Sequence, residues 1–177
     1  MRRLAPLLML VPVACATLLN FTVEQTASTD VQGSALGGLL AVVDLGELSS
    51  LDVAVAQELE NQGVAPGDVS EVLVVSLELD GRDGAAIDFI DTLDVTIEAD
   101  GLDPLRIAWV DEVPDGATHV ALTVTDADLA DYVSAPSMTI VTDASGTAPA
   151  DDVTLDATIV LSVTATPQGA CNALSAG

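Results

Sequence analysis

The stretch from Val153 to Ala165 restricts what this chain can fold into more than any other part of it. Val153, Leu155, Ala157, Ile159, Leu161, Val163 and Ala165 fall on one face of an extended strand, while Thr154, Asp156, Thr158, Ser162, Thr164 and Thr166 fall on the other. Side chains alternate across a strand, so the pattern predicts one face in a core and one in water. Only Val160 breaks it. A strand this long cannot cover its own apolar face, and other strands have to do so.

Candidates for that cover recur along the chain. Phe21, Val23, Gln25 and Ala27 alternate with Thr22, Glu24, Thr26 and Ser28. Leu73, Val75, Leu77 and Leu79 share one face of a strand from Val72 to Asp80, whose other face starts apolar at Val72 and Val74. Leu93, Val95, Ile97 and Ala99 form a half-buried strand. Leu105, Ile107 and Trp109 follow the Gly101–Pro104 turn, with Arg106 on the opposite face. Val120, Leu122 and Val124 come after the Asp115-Gly116 turn signal. Met138, Ile140 and Thr142 precede an Ala144–Asp152 loop of hairpin type, which predicts pairing of Met138–Asp143 with Val153–Ala165.

Other segments are less regular. Gln32 to Ser50 is glycine-rich and reads either as a loop over one end of the core or as a piece with a short strand or helix. Leu51, Val53 and Val55 alternate as a strand would. Leu51, Val55, Leu59 and Gln62 also share a helical face, with Ser50 as N-cap and Gly63 as stop; the β-branched residues favour the strand. Pro66 to Ser70 reads as one helical turn, and Asp126 to Val133 as a short helical connection capped by Asp126, with Leu129, Tyr132 and Val133 inward. The expected fold is therefore all-β: a single antiparallel β-sandwich, or partly open barrel, of about eight strands with one or two short helical turns. It would span 17–166, after an export signal at 1–16 and before a flexible tail at 167–177.

Composition bears on partners. The chain is 50% hydrophobic but only 2% aromatic, so its core has to be aliphatic. It has no lysine, and its basic residues are Arg2, Arg3, Arg82 and Arg106. Removal of Arg2 and Arg3 with a signal leaves two arginines against 28 acids, a net charge of −26. Such a surface repels nucleic-acid phosphates and anionic lipid alike, so no nucleic acid is expected as a partner, and a membrane only through an N-terminal lipid. A protein or carbohydrate partner stays open.

Met1 to Ala16 has the order of an export signal: Arg2-Arg3, an apolar run from Leu4 to Val13, then small residues. It is shorter than the roughly 20 apolar residues that span a bilayer. Ala14-Cys15-Ala16 fits cleavage before Thr17. Val13-Ala14-Cys15 fits a lipobox, which would leave Cys15 as a lipidated first residue; the very short apolar run favours this reading, although Pro12 departs from it. Lipidation would leave Cys171, the other cysteine, without a disulfide partner in the chain.

Chemistry of sites is sparse. His119 is the single histidine and reads as solvent-facing, Cys171 lies in the tail, and no Gly-x-Ser-x-Gly elbow is present, so no catalytic residue is assigned. Zinc lacks a Cys/His cluster, and no cofactor is expected. Calcium, which takes six to eight oxygen ligands, has two candidate sets: Asp80, Asp83 and Asp88, and Asp126, Asp128 and Asp131. Asp-Gly turns and a helix cap account for the same residues without a metal. Trp109 reads as core rather than as a sugar platform, and Arg106 as a cross-strand ion pair with neighbouring carboxylates.

The short signal ending near Cys15, together with Asn61-Gln62-Gly63-Val64 and Ala135-Pro136-Ser137-Met138-Thr139-Ile140, resembles short lipoproteins of Gram-negative bacteria with no assigned function. The resemblance implies an exported, β-rich protein of the cell envelope, anchored at the outer membrane or else periplasmic or secreted, and carries over no catalytic or binding residue. The expectation is a non-catalytic acidic module, with a calcium-dependent or carbohydrate-binding adhesion module as the alternative.

The charge has a direct consequence. Like charges oppose compaction most at low ionic strength, and screening acts over about 10 Å at 0.1 M salt. Moderate sodium chloride should therefore raise the melting temperature. Calcium should add little beyond what magnesium achieves at equal ionic strength, and a melting shift specific to micromolar calcium would reverse the reading of both aspartate sets.

Overall fold

The computed structural model describes residues 20–34, 57–167 and 169. Residues 1–19, 35–56, 168 and 170–177 lie outside them, and with them the expected export signal and Cys15, the glycine-rich segment, most of the 51–57 strand and the tail with Cys171.

Eight antiparallel strands form two four-stranded sheets. The strands are β1 (Asn20–Val31), β2 (Val69–Gly81), β3 (Ile90–Ala99), β4 (Leu105–Val110), β5 (His119–Ala121), β6 (Thr123–Val124), β7 (Met138–Gly146) and β8 (Val153–Ala165). One sheet has the order β1-β8-β2-β5 and the other β6-β4-β3-β7. This is the expected all-β sandwich, with no closed barrel.

The long strand is β8, and it holds the middle of its sheet. It pairs with β1 from Asn20↔Thr164 to Val31↔Val153, and with β2 from Val69↔Ala165 to Gly81↔Leu155. Its inward residues Leu155, Ala157, Ile159, Leu161 and Val163 are buried against the facing sheet, where Leu93, Val95 and Ile97 answer them. Burying a side chain of this size stabilises by about 1.5–3 kcal/mol. Among the described residues no polar side chain is buried.

The predicted pairing of Met138–Asp143 with Val153–Ala165 is wrong. β7 pairs with β3, in the other sheet. Residues 147–152 are a crossover between the two layers and not a hairpin turn. Their hydrogen bonds go elsewhere: Thr147 N–H donates to the Phe89 carbonyl (2.9 Å), and the Pro149 carbonyl accepts from Ser34 N–H (2.7 Å).

Two bulges correct two further expectations. In β2 the register slips between Val74 and Ser76, so Val72 and Val74 point inward, Val75 is 54% exposed, and Leu77 and Leu79 resume the core. The residues Leu73, Val75, Leu77 and Leu79 therefore do not share one face. In β4 the slip falls around Ile107, so that Ile107 and Ala108 are both buried and Trp109 turns outward. Trp109 is not core. A bulge puts two residues opposite one and sharpens local twist. Both bulges flank the stretch from His119 to Thr125, which pairs with β2 and then with β4. Leu122, 7% exposed, sits at the corner and donates its N–H to the Leu77 carbonyl (2.9 Å). The extra twist lets one run of chain serve both sheets.

The helical pieces close the end of the sandwich at Asn20. Residues 57–61 are helical and Gly63, with φ 67°, ends the helix, so this part of the ambiguous 51–62 segment follows the helical alternative and not the favoured strand; 51–56 lie outside the described residues. Gly63 N–H reaches the Glu60 carbonyl and Val64 N–H the Leu59 carbonyl, with Leu59 and Val64 both buried, which is a Schellman ending. Pro66–Asp68 forms a 3-10 turn, and Pro167 and Gly169 have helical backbone, with Thr166 Oγ1 accepting from Gly169 N–H. β6 and β7 are opposite edges of one sheet, so residues 125–137 have to run across this end. Leu129 plugs it at 2% exposure, ahead of the helical turn Ala130–Val133.

Glycine packing supplies a test. A Cβ at Gly81 would lie 2.0 Å from the Ala85 carbonyl oxygen, whereas one at Gly67 would meet nothing within 4 Å. Gly81→Ala should lower stability by about 1–3 kcal/mol in chemical denaturation. Gly67→Ala should leave it near the parent.

Candidate functional site

The outer face of the first sheet carries a cross-strand polar ladder. Thr26 and Thr158 hydroxyls meet at 3.0 Å, Thr154 donates to Asp30 (2.6 Å), and Thr164 donates to Asn20 (2.7 Å). Val160 interrupts the ladder opposite Glu24 on one side and at the β2 bulge on the other, beside Val75.

A cluster on this face joins β1, β8 and the turn after β2. Arg82, just past β2, donates from Nε to Asp156 Oδ2 (3.1 Å) and from Nη2 to Asp156 Oδ1 (2.5 Å). Nη2 also reaches Ser28 Oγ (2.8 Å), and Ser28 donates to Asp156 (2.6 Å). The Arg82 hydrogen bond, with Ser28 adding to it, holds the Asp156 carboxyl below its ordinary range against a small opposing effect of burial.

The second sheet shows the other arginine. Arg106 Nε donates to Asp94, its Nη2 lies 3.6 Å from Asp111, and its guanidinium sits 4.5 Å from the centre of the Trp109 ring. The cross-strand ion pair expected of Arg106 is present. Its stacking on Trp109 was not foreseen, because the bulge that brings the two onto one face leaves no mark in the alternation of Leu105, Ile107 and Trp109.

The first aspartate set does not converge. Asp80 Oδ1 lies 2.9 Å from His119 Nδ1, its register partner on β5, and His119 is solvent-facing as expected. Asp88 accepts from Gly116 N–H (2.7 Å) and fastens the turn that Ala117 N–H closes onto the Pro114 carbonyl. Asp83 occupies a left-handed position, φ 57°, in the exposed turn Arg82–Gly84.

The second set is likewise divided. The cap expected of Asp126 is absent, since Leu129 is the N-cap of the helical turn and no side chain caps it; Asp128 Oδ1 instead accepts from Ala130 N–H (2.9 Å) and from Val72 N–H (2.8 Å). Leu129 N–H returns a bond to the Val72 carbonyl (2.8 Å), so Asp128 and Leu129 together pin the plug to β2. Asp126 and Asp131 are exposed. Among the described residues, no group of three or more His, Cys, Asp or Glu side chains is placed to hold a metal ion.

An open cleft of about 460 Å³ lies between Ala86–Phe89 and the 147–151 crossover, with Asp88 and Asp151 among its lining residues. Among the described residues no helix is long and apolar enough to cross a membrane.

No family model matches the chain, and neither a curated protein nor a solved structure does. The Arg82–Asp156 cluster can be tested by pH. A carboxyl with a lowered folded-state pKa contributes stability above its ordinary value of 3.8 and loses it as pH falls through the lower one. Asp156→Asn should melt below the parent at pH 7, and the gap should close as the pH is taken below about 4. A gap that persists unchanged at acid pH would assign the effect to packing.

Proposed function

We propose that the protein is an exported, non-catalytic, acidic β-sandwich held at the cell envelope by a lipid on Cys15, acting through its surface. The observation that carries the proposal is the join between signal and fold. Arg2-Arg3, the short apolar run and Val13-Ala14-Cys15 are followed at Asn20 by β1, only five residues beyond Cys15. Processing at Cys15 would thus leave every described strand intact. Two acyl chains on the mature terminus give an anchor that a single chain does not, since one chain alone binds reversibly.

A second reading, a carbohydrate-binding module, is favoured by one observation: Trp109 lies on an outer sheet face beside Arg106, Asp94 and Asp111. Trp109 is the sole tryptophan, so its fluorescence reports any sugar that reaches it.

Cys15→Ser should move the protein from the membrane fraction to the soluble fraction. Unchanged membrane fractionation would reject lipid anchoring, and wild-type protein released with Thr17 as its first residue would establish the alternative cleavage.

A further inference from the structure

The strands define two ends of the sandwich. At one lie Asn20, Val69, Ala165, Ala99 and Met138. It is closed by the 57–68 segment, the 100–104 turn and the 125–137 connection; Tyr132 Oη donates to the Asp103 carbonyl there (2.7 Å), and Thr166 N–H to that of Asp68 (2.7 Å). At the other lie Val31, Gly81, Ile90, Gly146 and Val153, with the 82–89, 111–118 and 147–152 connections bonded to one another.

We infer that the anchored protein stands on the bilayer with its Asn20 end down, presenting the opposite end and its 460 Å³ cleft away from the lipid. The inference rests on lipidation of Cys15. From Cys15 to Asn20 the chain can reach at most about 17 Å, at roughly 3.4 Å per residue. The strand from Asn20 to Val31 is about 37 Å long at a similar rise. The far end therefore cannot replace the near end at the surface; the alternative is a body lying on its side.

Charge decides between standing and lying. An anionic leaflet repels carboxylates within a Debye length of about 8–10 Å. Lying on either sheet would bring acids of both ends towards that layer, drawn from exposed residues such as Asp100, Asp103, Asp126 and Asp131 at one end and Asp30, Asp83, Asp151 and Asp152 at the other. Standing removes the second group to several Debye lengths. The two arginines do not offset this, because Arg82 is bound to Asp156 and Arg106 to Asp94.

The test uses the full protein extracted from membranes, carrying Cys171→Ser and one labelling site, either Asp100→Cys or Ala150→Cys, each at an exposed turn. A fluorophore at each site donates energy to a headgroup-labelled acceptor lipid in phosphatidylglycerol vesicles. Transfer should be several-fold stronger from position 100 than from 150, and the contrast should weaken in 1 M salt, where screening contracts to about 3 Å. Equal or reversed transfer on vesicles that do bind the protein would overturn the orientation while leaving the anchor in place. Vesicle binding that is absent, or the same for Cys15→Ser, would overturn the anchor and the orientation with it.

Discussion

The inward face of β8 is the surface on which the rest of the sandwich depends. It is paired along both edges and buried along its length, so its neighbours inherit its register and the second sheet exists to cover it. With 2% aromatic residues the space between the layers is filled by Val, Leu, Ile and Ala, whose short side chains demand close approach of the sheets. Polar groups are kept outside that space: among the described residues none is buried, and none lacks a partner where it is enclosed.

The two bulges are the devices that reconcile this core with a chain that changes sheet. Around Val75 and Ile107 one residue is added to each strand beside the corner at Leu122. The added residue reverses which side chains face inward, and this is why Leu77 and Leu79 follow Val72 and Val74 into one core. The same slip expels Trp109 to the surface, where Arg106 covers part of it. A side chain most often placed by its bulk in a core is here placed by backbone register.

Scarcity of positive charge shapes the surface. Among the described residues there are two arginines, Arg82 and Arg106, and each is held by a carboxylate on a neighbouring strand, one on each sheet. Aspartates that could suggest metal ligation are instead used singly: Asp88 and Asp128 accept backbone N–H groups, and Asp80 meets His119. A carboxylate that accepts such bonds replaces water for otherwise unpaired donors, which suits turns at the ends of a sandwich.

Read alone, the sequence determined the β class, the approximate strand count, the Gly101 and Asp115-Gly116 turns, the aliphatic core and the acidic surface. Each follows from local periodicity or from the conformational preferences of single residues, which do not depend on distant chain. Only the tertiary structure decided that β8 lies between β1 and β2, that 147–152 crosses between layers, that Asp128 rather than Asp126 binds the backbone N–H groups of Ala130 and Val72, and that Trp109 faces outward. Strand partners are chosen by long-range packing, and a bulge is one extra residue that alternation cannot reveal until the opposite strand is in place.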